Sequence, residues 1–307
     1  MLYTNERYRN ALQAIRELSP GSCPLPAAEG DQELFEAAIF AHILKPYRFG
    51  LHPLRIAQTR PYPESLVLVI DASERLVLDM LRDLLPSADR EGEEVQGVEG
   101  LRILRWRDDG LELHRPGQHT LVRLAGAPRA VWRRAEKQVV DDLKDSGYWA
   151  CWRTHPDAWT EVEHLQERDD EGWYTGLARR GAWLASGLLR RIALFHTTAI
   201  PWAADGWRGL ASELLWKFDL ACYPDLPPRI EELAAALTDV RFGLPMRAAP
   251  RSLDSLYRLR LAATHGNEAL ELYFAPWEAD GDQWMADPQR VRVVRERAER
   301  VVAGATR

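Results

Sequence analysis

Lysine is nearly missing from this chain. Only Lys45, Lys137, Lys144 and Lys217 stand among 40 basic residues, so each merits inspection wherever chemistry needs an amine that can titrate. Cysteine is as scarce. Cys23, Cys151 and Cys222 are too few and too scattered for a disulfide framework, and the absence of a CxxC pair excludes zinc sites of that spacing. Long hydrophobic runs are lacking too. Stretches such as Leu66 to Ile70 are far too short to cross a bilayer, and the polar opening MLYTNERYRN has no signal-peptide core. A cytoplasmic location without membrane contact is expected. There is also no surplus of positive charge. A net charge of -6 speaks against non-specific nucleic-acid binding.

What remains is the make-up of a packed protein, 46% hydrophobic and 28% charged, and 307 residues allow one large domain or two unequal ones. Eight of the twelve tryptophans fall between Trp149 and Trp216. Core and pocket lining is the simpler reading of that cluster; a stacking platform for a sugar or base is the alternative.

Helical spacing of apolar residues predicts helices over residues 4 to 18 and 34 to 44, and the segment from Ser73 to Leu85 also reads as helical. Ser65 to Ile70 is apolar throughout and predicts a central strand. Leu101 to Trp106 and Leu111 to His114 alternate as strands around a hairpin signal at Asp109-Gly110, and His119 to Leu124 predicts a third strand. Pro128 opens a helix that stops at Gly147. Tyr148 to Trp152 and Trp159 to His164 predict strands, Trp183 to Ile200 one or two more, with a helix still open there. Gly209 to Leu220 predicts a helix. Beyond the Pro-rich loop from Tyr223 to Pro228, a helix at Arg229 to Leu237, a hairpin pairing Leu256–Ala262 with Ala269–Phe274, and a final helix from Pro288 to Val302 are expected.

The turn His114-Arg115-Pro116-Gly117-Gln118 is the most informative pentapeptide. It is either a plain hairpin bend or a place where glycine admits a ligand to the backbone while His114 and Gln118 offer polar edges. Arg107 opens the preceding turn. From Arg107 through His114-Arg115-Pro116-Gly117-Gln118 the chain resembles the octanoyltransferase and lipoate-ligase family, whose pattern is Arg-Gly-Gly followed by His-Gly-Pro-Gly-Gln. Further pieces follow in the same order. Trp183-Leu184-Ala185-Ser186-Gly187 resembles the family's Lys-Ile-Ala-Ser-Ile-Gly strand. Arg190-Arg191 with Phe195-His196-Thr197-Thr198-Ala199-Ile200 resembles its Arg run and His-Gly-x-Ala-Leu, and Phe218-Asp219-Leu220-Ala221-Cys222 its cysteine-bearing segment.

The resemblance covers residues 101 to 222. It implies a biotin/lipoyl ligase-like α+β fold, a mixed sheet with flanking helices, over residues 1 to 228, with an α/β extension over 229 to 307. It also implies a medium-chain acyl transfer with no cofactor. Cys222 would take the acyl group from an acyl carrier protein, or another acyl-bearing small molecule, and pass it as a thioester to a lysine of an acceptor protein. Arg107, His114, Gly117, Gln118, Ala185, Ser186, Gly187 and His196 would bind the substrate. The departures are specific. Trp183 stands where the family has the lysine that activates the thiol, Asp108 and Asp109 replace Gly-Gly, and Arg115 replaces a glycine. Lys217 is the substitute thiolate partner on offer. The alternative is a catalytically inactive ligase-like fold that binds a ligand or partner protein.

Other constellations rank lower. His155-Pro156-Asp157 with His196 and Arg208 outlines an iron and 2-oxoglutarate oxygenase site. Asp141-Asp142-Leu143-Lys144-Asp145 mimics a diphosphate-binding motif but falls on a charged helix. The acidic run from Glu161 to Glu171 reads as a solvated loop.

Overall fold

The structure is a computed structural model that describes residues 3–6, 16, 23–44, 52–92, 94–169, 181–197, 204–209, 214–222, 229–248 and 258–276. Most of the helix expected over residues 4 to 18, and all of that over 288 to 302, lies outside them. The fold is α+β with mixed sheets and flanking helices. It is divided into two compact units: Pro26–Ile43 with Gln58–Arg190, and Met1–Leu25 with Leu44–Ala57 and Arg191–Arg307.

The first of these units contains helix α1 (Gly30–Ile43), strand β2 (Ser65–Ile70), helix α2 (Glu74–Leu84), the short strands β3 (Ser87–Ala88) and β4 (Val95–Gln96), and the three strands β5 (Arg102–Arg107), β6 (Gly110–His114) and β7 (Val122–Ala125). Helix α3 (Arg129–Asp145), strand β8 (Trp149–Ala150) and helices α4 (Cys151–Thr154), α5 (Glu161–Asp169) and α6 (Ala182–Arg190) complete it. Strand β1 (Ile56–Tyr62), which belongs to this unit from Gln58 on, forms the edge of a sheet ordered β1-β2-β7-β6-β5. The pairing is parallel between β2 and β7 and antiparallel from β7 through β5. The hairpin lies where Asp109-Gly110 signals it. Gly110 is required there, since a Cβ would meet the Leu124 carbonyl oxygen at 1.9 Å.

Alternation along these strands buries Leu66, Leu68, Leu111, Leu113, Val122 and Leu124. Position-for-position between them come Val67, Glu112 and Arg123, which therefore share the opposite face. Helix α2 buries Val77, Leu78, Leu81 and Leu84, and α3 buries Trp132, Ala135 and Val139, the one-sided spacing of surface helices.

In the other unit, helix α7 (Ala193–Thr197), strands β9 (Ala204–Gly209) and β10 (Leu214–Cys222), helix α8 (Ile230–Leu237) and strands β11 (Met246–Ala248), β12 (Arg258–Ala263) and β13 (Glu268–Pro276) follow in order. The sheet runs β11-β12-β13-β10-β9. The β12–β13 hairpin matches its expectation. In this sheet β10 pairs in parallel with β13 at nine successive positions. Backbone hydrogen bonding thus ties the segment beyond 228 to the one before it.

Three elements differ from the sequence reading. Trp159 to His164 is no strand, because Thr160 and Glu163 form a capping box that starts α5: the Glu163 amide donates to Thr160 Oγ1 at 3.2 Å, and the Thr160 amide donates to Glu163 Oε2 at 2.8 Å. The apolar segment from Trp183 is helical in α6 and α7 instead of extended. Residues 184 to 190 are all buried, so every side of α6 is apolar or internally bonded and no period could separate helix from strand. Conversely, the described part of the helix expected over Gly209 to Leu220, from Leu214 on, is strand. Trp216, Phe218 and Leu220 are buried at alternate positions in a strand flanked by β9 and β13.

A single ionic network joins α1, α6, β1 and the entry to α1. The Arg190 guanidinium donates to both Glu36 carboxylate oxygens, at 2.7 and 2.6 Å, and to the Pro26 and Tyr62 carbonyls at 2.7 and 2.9 Å. Both side chains are fully buried. Ser186 Oγ and Gln32 Nε2 also donate to Glu36, and Gln32 Oε1 accepts the Leu121 amide. Arg190→Ala should lower unfolding stability by about 3–5 kcal/mol, because it strands a buried carboxylate. A falling urea midpoint measures this, with Glu36→Gln expected to act in the same direction.

Candidate functional site

The first cluster of expected site residues lies on β5, β6 and the turn after them. Arg115-Pro116-Gly117-Gln118 closes with the Gln118 amide donating to the Arg115 carbonyl at 3.2 Å. Gly117 has φ +80° at the third position, with proline at the second, the type II pattern. Nothing lies within 4 Å of where a Gly117 Cβ would stand. The turn is anchored from below. Arg115 is buried with its guanidinium over the rings of Phe35 and Trp159, at 5.6 and 5.4 Å, and its amide donates to Thr120 Oγ1 at 2.8 Å. The arginine that replaces a glycine of the family pattern is therefore the turn's anchor.

His114 is half-buried at the end of β6. Burial, helped by the Arg102 charge, holds its imidazole below the ordinary histidine value, against the opposite pull of Asp157. Arg107 and Arg105 both donate to the buried carboxylate of Glu112, Arg107 at 2.7 Å. Burial raises the Glu112 pKa, but these two guanidiniums outweigh it and the net shift is downward.

Beneath this cluster is a residue the sequence reading set in a solvated loop. Glu163 is fully buried and receives Arg102 in a two-pronged pair, at 2.9 and 2.6 Å. It also accepts the Gly100 and Thr160 amides. Arg102 in turn donates to the carbonyls of His155 and Ala158. The Thr160-x-x-Glu163 spacing was the available signal. Cys151 lies nearby at the start of α4, fully buried, and burial beside the Glu163 charge pushes its thiol up to about 12. Such a thiol is inert.

The second group, Ala185, Ser186 and Gly187, sits in α6 and is buried. The Ser186 hydroxyl is engaged by Glu36 at 2.6 Å. The resemblance places these residues on a strand at a pocket wall; they form part of a helix packed on α1.

The third group belongs to the other unit. His196 on α7 meets the His52 ring edge-on at 4.9 Å. Cys222 ends β10 opposite Pro276. Lys217 is five positions earlier on the same unbroken strand, and an odd separation places two strand positions on opposite faces. Its ammonium lies 3.9 Å from the Glu271 carboxylate, across the sheet from Cys222's position.

Of the lower-ranked constellations, His155 and Asp157 are exposed in one unit, whereas His196 and Arg208 belong to the other. Among the described residues, no group of three or more His, Cys, Asp or Glu is placed to hold a metal ion. Asp141 pairs with Lys137 and Asp142 with Arg82 on the exposed face of α3, as a solvated helix would have it. No helix of the described residues is long and apolar enough to cross a membrane. No family model, curated protein or solved structure matches the chain.

Two outcomes follow. In native protein at pH 8, iodoacetamide should modify exposed Cys23 and leave Cys151 untouched until denaturant is added; peptide mass mapping reads the difference. Burial raises the Glu163 pKa, but bonds from Arg102 and two amides lower it further, so its folded-state value is depressed. Its contribution to stability is then complete above the unfolded glutamate value of about 4.3 and lost as pH falls below it. Urea midpoints between pH 6 and 3 should fall steeply for the native sequence and less steeply for Glu163→Gln, from a lower start.

Proposed function

We propose that this protein is a ligand- or protein-binding module on an α+β scaffold, not a cysteine-dependent acyltransferase. One observation carries the reading. The Ala185-Ser186-Gly187 segment, which an acyl pocket of the ligase type would need along its wall, is buried helix, with the serine hydroxyl held by Glu36. The position of the activating lysine is Trp183, and Lys217 is directed to Glu271 on the sheet face opposite the position of Cys222.

The part of the pattern suited to contact is the turn after β6. Exposed Gly117 leaves the backbone open to a close approach. His114 and Gln118 flank it with polar edges, and Arg115 underneath fixes the bend before anything binds, which reduces the ordering cost of association.

Two measurements test this. Incubation with octanoyl carrier protein followed by intact mass analysis should show no octanoyl group on the chain. Octanoylation that disappears in Cys222→Ala overturns the proposal. Titration with octanoyl-pantetheine, an uncharged acyl probe, should show reversible binding that the His114→Ala, Gln118→Ala double variant weakens by at least about tenfold, the effect of losing one or two hydrogen bonds. Absence of binding overturns the acyl form of the reading.

A further inference from the structure

Charge is unevenly distributed along this chain. Residues 101 to 134 hold eight arginines and no lysine against three carboxylates, although the whole protein carries a net charge of -6. Arg102 and Arg115 are buried and structural. Arg105, Arg107 and Arg123 are placed differently.

All three surround Glu112 on the face of the sheet that alternates with the buried leucines. Arg105 and Arg107 each bond Glu112 through Nε, and Arg123 is its direct cross-strand neighbour on β7, bonded to Asp109 at 2.5 Å. Glu112 is 5% exposed, whereas Arg105, Arg107 and Arg123 are 55%, 40% and 35% exposed. One buried carboxylate shared by two guanidiniums leaves a surplus positive charge. It also holds both forks in fixed orientation, with their terminal amino groups still to be used. Planar forks so held suit carboxylates, which they engage two bonds at a time.

Strand β5, at the edge of the sheet, adds apolar contact area. Leu104 is 49% exposed there, whereas Trp106, paired with Leu111, lies on the other face under the Arg133 guanidinium, 3.9 Å from its ring centroid. Arginine beside an exposed aliphatic side chain is a composition found at protein interfaces.

We propose that the β5–β6–β7 face is a docking surface for an acidic protein segment, whose carboxylates are taken by Arg105, Arg107 and Arg123. This rests on the binding reading above and names the chemistry of its partner. A nucleic acid fits less well. Nucleic-acid phosphates call for a broad basic stripe, and three arginines interrupted by Asp108 and Asp109 are a small patch on a chain of net charge -6.

The test uses the full chain and two labelled probes, poly-L-glutamate and a single-stranded oligonucleotide of equal charge, followed by fluorescence anisotropy at several salt concentrations. Poly-L-glutamate should bind the more tightly, and binding should weaken with salt. The variant with Arg105→Gln, Arg107→Gln and Arg123→Gln should lose about tenfold in affinity, the size expected of three partly exposed pairs. Arg75→Gln, Arg82→Gln and Arg134→Gln make the same charge change on helices α2 and α3, and should lose far less. Because the first variant strands Glu112, the pair Arg105→Lys and Arg107→Lys keeps its counter-charge; it should retain the fold by thermal melting and bind with intermediate affinity. Equal losses in both triple variants, tighter oligonucleotide binding, or no poly-L-glutamate binding at low salt overturns the proposal. None of these outcomes bears on octanoyl-pantetheine, so the two readings fail separately.

Discussion

The buried pair of Glu36 and Arg190 constrains everything packed around it. Two charges removed from water are tolerable only when every lone pair and proton is matched. Here Glu36 accepts from Arg190, Ser186 and Gln32, while Arg190 also reaches two main-chain carbonyls. That requirement fixes the approach of α6 to α1. It also fixes the path of the chain at Pro26 and Tyr62, since those carbonyls must face the guanidinium. The Arg102–Glu163 pair repeats the arrangement under the β5 edge, drawing in the amides at Gly100 and Thr160. Arginine fills both roles, and a lysine with three donors on one nitrogen has no planar fork to serve two carboxylate oxygens and two carbonyls in this way.

These internal demands bear on function. Residues that look like ligand-binding groups in a linear reading, Ser186 above all, are held by the scaffold. Arg105, which no motif singles out, and Arg107 are oriented by a buried carboxylate and remain accessible. Rigidity and availability coincide on β5 and β6 and in the turn at Gly117, which is why the proposed contacts are concentrated there.

Much of the scaffold was legible in the sequence where local chemistry is decisive. The Asp109-Gly110 hairpin, the β2 strand, the helix after Pro128 and the β12–β13 hairpin all lie close to where turn residues and periodicity put them. Reading failed where burial erased the pattern. The α6 segment is buried on all sides, and a uniformly apolar stretch has no face to reveal its period. In β10, Trp216, Phe218 and Leu220 alternate with Lys217 and Asp219, a period of two that suits a strand paired on both edges where a helix was expected. The candidate site was legible only at the turn. Glu163 was hidden in an acidic run, and its partner Arg102 lies 61 residues away, a separation that only the folded chain closes.

The interleaving of the two units has a consequence for how the polypeptide emerges during synthesis. The unit made of Pro26–Ile43 and Gln58–Arg190 has all of its parts once Arg190 has left the ribosome. The other unit waits: Tyr3 bonds the Ala236 carbonyl, Cys23 the Arg241 carbonyl, and β10 needs β13. Tyr3 and Cys23 therefore lack these partners while more than two hundred residues are made, so a nascent chain stalled near Arg190 should hold one finished body beside segments still waiting for theirs.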